Sequence, residues 1–93
     1  SETEKHISPK GTPTLKGGDV ACLNRNLFNE ITQAIINEDQ HQWNYLLKNG
    51  CIVTRKGPRV SIIDRDWQGV IKVRVYGDDD SVILWTNSRS IVY

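Results

Sequence analysis

The chain has 93 residues, enough for one small domain and too few for several. Lys and Arg number 12 against 11 Asp and Glu, a net charge of +1, which argues against the concentrated basic face of a general nucleic-acid binder. No apolar run approaches the roughly 18 residues of a membrane-spanning helix, so neither nucleic acid nor a membrane span is expected.

Residues 1–18 (SETEKHISPKGTPTLKGG) are polar, carry Pro9, Pro13 and three glycines, and show no hydrophobic period. They predict a flexible N-terminal arm, with at most a short extended segment at residues 12–15, ahead of a domain covering residues 19–93. His6 is a lone histidine in this arm, and a solvated side chain is the better account of it than a metal ligand. The sequence contains no Met, so Ser1 is not an intact translation start, and a removed leader is expected.

Residues 19–23 alternate well enough for a first strand. Asn24 or Asn26 then offers a helix cap. Leu27, Phe28, Ile31, Ala34 and Ile35 follow at i, i+1, i+4, i+7 and i+8, a single apolar stripe. Asn37-Glu38-Asp39-Gln40 resembles a fresh cap, and Trp43, Leu46 and Leu47 share a face before Asn49-Gly50 stops the pattern. One kinked helix and two separate helices both satisfy these signals over residues 24–50.

Cys22 and Cys51 flank the helical region. In an oxidising compartment they fit one disulfide, closing a loop of about thirty residues; in a reducing one they would be buried thiols. Small size and the missing initiator favour the bridge. Neither a zinc site nor a redox pair is indicated, since no His or Cys stands at ligand or C-x-x-C spacing.

Cys51-Ile52-Val53-Thr54 returns to extended structure, and three further runs follow. Val60 and Ile62 share a face, which Ile63 interrupts. Ile71, Val73 and Val75 oppose Lys72, Arg74 and Tyr76, the pattern of a half-buried strand. Val82 and Leu84 oppose Ile83 and Trp85, predicting a strand covered on both sides. Gly57-Pro58 and Gly77-Asp78-Asp79-Asp80 supply turn chemistry. The order predicts an α+β fold: a small antiparallel barrel or meander, with one or two helices inserted after the first strand.

Tyr76-Gly77-Asp78-Asp79 spells a polymerase metal-binding turn, but the chain lacks the supporting carboxylates and scaffold, and a polar hairpin loop accounts for it. Asp64-Arg65-Asp66-Trp67-Gln68-Gly69 is the turn where function is sought. Its tryptophan is either a lid on the core or an exposed anchor, whereas Trp43 and Trp85 are expected in the core. His41 lies on a polar helix face with no acid–base partner, so no catalytic residue, metal or cofactor is expected.

Lys56-Gly57-Pro58-Arg59-Val60-Ser61-Ile62-Ile63, then Trp67, then Ile71-Lys72-Val73-Arg74-Val75, then Leu84-Trp85-Thr86 and Ile91, resembles the bacterial SH3-like domain. The chain departs from it by placing helices in residues 24–50 and Ile83-Leu84 where glycine usually precedes the last tryptophan. The resemblance implies an SH3-like barrel that binds beside its loops. The residues expected to carry recognition are Asp64, Arg65, Asp66 and Trp67, with Arg55 and Arg59 in a basic stretch. The function this implies is a non-catalytic, periplasmic or secreted domain for a protein or peptide partner. An inhibitor, an immunity protein or an accessory subunit of an envelope complex fits that description, and a cell-wall peptide-binding module is the alternative.

Overall fold

The computed structural model describes residues 12–93. The elements in chain order are β1 (Thr14–Leu15), β2 (Val20–Cys22), α1 (Arg25–Ile36), α2 (Gln40–Lys48), β3 (Cys51–Val53), β4 (Val60–Arg65), β5 (Val70–Tyr76), β6 (Ser81–Asn87), a 3-10 turn (Ser88–Ser90) and β7 (Ile91–Val92). The fold is α+β, with a five-stranded antiparallel sheet in the order β3-β2-β6-β5-β4 and a two-stranded sheet of β1 and β7.

Two helices form where the sequence leaves one or two open. Asn24 caps α1 by accepting a hydrogen bond from the Leu27 amide at 2.8 Å. Glu38 then turns the chain with a left-handed φ of 55°, and Asp39 caps α2 through the Gln42 amide at 3.0 Å. Gly50, at φ 120°, ends the helical region where a Cβ would stand 2.5 Å from the Leu27 side chain.

The meander β4-β5-β6 forms as its alternation predicts, with Val73 opposite Leu84 and Val60 opposite Val75. The irregularity at Ile63 is a β-bulge: pairing slips between Ile62 and Asp64, and Ile63 is left exposed. Alternation along β2, β5 and β6 divides the core between the two sheet faces. Leu15, Ala21, Val60, Ile71, Val73, Leu84 and Ile91 form one cluster. Phe28, Ile31 and Leu46 of the helices pack with Cys22, Cys51 and Val70 in the other, flanked by Trp43 and Trp85. Cys22 and Cys51 are directly opposite in the β2–β3 ladder and form a disulfide buried in the helical cluster.

Four expectations need correction. The flexible arm does not extend to residue 18. β1 pairs with β7, the Leu15 amide bonds to the Pro58 carbonyl at 2.9 Å, and Leu15 is buried in the core. Residues 1–11, the remainder of that arm with His6, lie outside the described residues. The helices consequently follow the second strand, not the first. The sheets also do not close into a barrel, because β2 reaches β6 at only two positions and β1 and β7 are two residues each. For the same reason β6 is covered on both sides only toward its end, and Val82 stays exposed.

Candidate functional site

The turn joining β4 to β5 is built around Asp66. Its Oδ1 accepts hydrogen bonds from the Gln68 amide at 2.8 Å and the Val70 amide at 3.0 Å, while its own amide donates to the Val70 carbonyl at 3.0 Å. Gly69 completes the reversal at φ 85°, a conformation that side-chain-bearing residues rarely adopt. Its carbonyl accepts from the Ser88 amide at 2.8 Å, which ties the turn to the 3-10 segment.

Arg25, the first residue of α1, ties it from the other side. One guanidinium nitrogen pairs with Asp66 Oδ2 at 2.5 Å and another donates to Gln68 Oε1 at 2.9 Å. The same guanidinium lies 5.9 Å from the Trp85 ring centroid, with Lys72 Nζ also near that ring at 5.6 Å. Desolvation pushes the Asp66 carboxyl up, but the Val70 and Gln68 amides and Arg25 together outweigh it, and the group is held below its ordinary value.

Trp67 stands at the apex of this pinned turn and is 91% exposed. Of the two placements open to it in sequence, lid on the core or exposed side chain, the geometry leaves the second. Asp64 accepts from the Arg65 amide at 2.8 Å, and Arg65 reaches the hydroxyl of the exposed C-terminal Tyr93 at 3.5 Å. Of residues 64–67, Asp66 and Trp67 therefore lie on the turn, while Asp64 and Arg65 are the last paired residues of β4 leading into it. Arg55 and Arg59 are not part of it. Arg59 lies over Tyr76, 5.6 Å from its ring centroid, at the far end of β5 and about 20 Å of extended strand away.

Two contributors escaped sequence reasoning, Arg25 and Tyr93, while Gln68 lay in the turn singled out there but was not counted among its recognition residues. Arg25 did leave a trace. A cation in the first turn of a helix opposes the helix dipole, and α1 carries no acidic residue there to compensate. The compensating anion comes from Asp66, 41 positions further along the sequence, which no local pattern reveals. Among the described residues, no group of three or more His, Cys, Asp or Glu side chains is placed to hold a metal ion, and no helix is long and apolar enough to cross a membrane. Compared with known protein families, curated proteins and solved structures, the chain shows no match.

Proposed function

We propose that this chain is a non-catalytic, exported interaction domain of SH3-like type, which engages a protein partner through the Trp67 turn. The observation that carries the proposal is the pairing of near-complete exposure at Trp67 with a fixed backbone beneath it. Leaving a large aromatic in water forgoes the stabilisation of burying it, and a rigid presentation reduces the entropy lost on binding. Exposed aromatics of this kind are the anchors that dominate protein interfaces. Arg25, Gln68, Arg65 and Tyr93 supply a polar surround to that anchor.

The SH3-like assignment draws support from the order of elements: a three-stranded meander, a 3-10 turn, and a last strand returning to pair with the first. Export draws support from the buried disulfide, which suits an oxidising compartment.

The test compares the oxidised wild-type chain with Trp67→Ala in pull-downs from bacterial envelope extract, alongside urea unfolding. The expected result is a partner retained by the wild type and lost by the variant, with unfolding midpoints that agree. Loss of an anchor is expected to weaken binding by about 2 kcal/mol or more. Equal capture by both proteins removes Trp67 from recognition.

A further inference from the structure

The first half of β6 has a strand on one side only. Residues 81–84 pair with β5, whereas β2 reaches β6 only at Trp85 and Thr86. Among the described residues no strand lies along the other edge of residues 81–84. Open edges are commonly blunted by charge or proline, yet Ser81, Val82, Ile83 and Leu84 carry neither.

Beside this edge lies a groove of about 290 Å³. Leu15, Val75 and Leu84 of the first core cluster line it, and Ile52, Val53 and Val82 add exposed aliphatic surface. A second hollow of about 410 Å³ adjoins it, sharing Arg55, Pro58, Tyr76 and Gly77, and is also lined by Lys56, Arg59 and Asp78. Ion pairs among the described residues lie elsewhere, at Lys16–Asp19 and Arg25–Asp66, so Arg55, Lys56 and Arg59 have no carboxylate partner among the described residues. Asp78 is the carboxylate lining the hollow; Asp80 lines the apolar groove, its carboxylate packed against Gly77. Three cations against one carboxylate leave the hollow electropositive.

We propose that this notch binds an extended peptide segment of another protein by strand addition to β6, with an aliphatic side chain in the apolar groove and a carboxylate-bearing residue beside Arg55, Lys56 and Arg59. Strand addition satisfies the open backbone groups of residues 81–84, and the alternation of the incoming strand places every second side chain toward the groove. Unpaired cations supply orientation and choice of sequence. The notch and the Trp67 turn lie at opposite ends of β5, so the two surfaces act independently.

The test is an NMR titration of the ¹⁵N-labelled, oxidised chain with three probes. One is an acetylated, amidated hexapeptide of alternating threonine and valine ending in two glutamates. The second replaces the glutamates with lysines, and the third is inorganic phosphate. The expected result is shifted amides across residues 81–84 with the acidic peptide, with exchange protection gained at Ile83, whose amide faces the open edge, and binding of the lysine peptide weaker by about fivefold, the effect of two exposed ion pairs. A double variant, Arg55→Ala with Arg59→Ala, removes that difference. Val82→Lys abolishes binding while the resonances of Val73 and Leu84 keep their positions, and Trp67→Ala changes nothing. No response at residues 81–84 at millimolar peptide overturns the proposal, as does equal binding of both peptides. Shifts reproduced by phosphate alone identify a simple anion site and overturn it too. Self-association that Val82→Lys removes assigns the edge to a second copy of the chain, with the same consequence.

Discussion

At Asp66 one carboxylate receives two backbone amides and a guanidinium, and the conformation beneath Trp67 depends on all three. Because its pKa is held below the ordinary 3.8, the charged form contributes stability that is fully present above that value. That contribution is lost as pH falls through the depressed folded-state pKa. The unfolding midpoint of the wild type is therefore expected to drop more steeply below about pH 4 than that of Asp66→Asn, which has no charge to lose. Thermal melts in a pH series check this, and parallel curves remove Asp66 from the acid response. A second residue acts from the interior. The Thr86 hydroxyl, fully buried, donates to the Val20 carbonyl at 2.7 Å and lies 3.3 Å from Ser90 Oγ, which in turn donates to Asp19 Oδ2 at 3.0 Å. Thr86→Val keeps the shape and strands the Val20 carbonyl, so urea unfolding is expected to show a loss of about 1–2 kcal/mol.

Element by element, the parts with strong local signals were legible and the parts made by distant contacts were not. The meander and both helical stripes follow from periodicity, but the cap signal at residues 37–40 left one kinked helix or two open, and the left-handed Glu38 with the Asp39 cap decides for two. β1 carries no such signal. It is two residues long, and it becomes a strand only because Leu15 meets Pro58 and Ile91. Leu15→Ala is expected to cost about 2–4 kcal/mol by urea unfolding, as for a buried leucine and not for a solvated arm. An unchanged midpoint would return β1 to the arm. At the helix junction, Glu38 holds a left-handed φ that costs a non-glycine residue about 1–2 kcal/mol, against about 1 kcal/mol of extra chain entropy lost by glycine. Glu38→Gly is accordingly expected to be neutral to mildly stabilising, and a clear loss of stability would show that the Glu38 side chain contributes more than its backbone costs.

On the scale of the whole molecule, the candidate site at the Trp67 turn was only half legible. The sequence marks residues 64–69 as a polar turn holding a tryptophan, but exposure is a property of what packs nearby, and alternation does not report it. Arg55 and Arg59 form a basic stretch in the sequence, and the length of a strand separates that stretch from the turn.

The same sheet divides the core, and the two halves are not held alike. Both cysteines sit in the helical cluster, and the loop they close contains α1 and α2 entire. At a sequence separation of 29, the bridge stabilises the chain by about 3–4 kcal/mol in the loop-entropy account, a large share of the margin available to a small domain. The other cluster contains neither cysteine and rests on the β4-β5-β6 ladder and on β1 against β7. Removing the bridge should therefore act unevenly. In the Cys22→Ala, Cys51→Ala variant, hydrogen exchange is expected to accelerate first and furthest in α1 and α2, while Val73 and Leu84 retain the protection of the remaining global stability. Exchange resolved by residue distinguishes this from uniform weakening. If the amides of Ile31, Leu46, Val73 and Leu84 all lose protection by the same amount, the two faces of the sheet form one cooperative unit, and the disulfide stabilises the molecule as a whole.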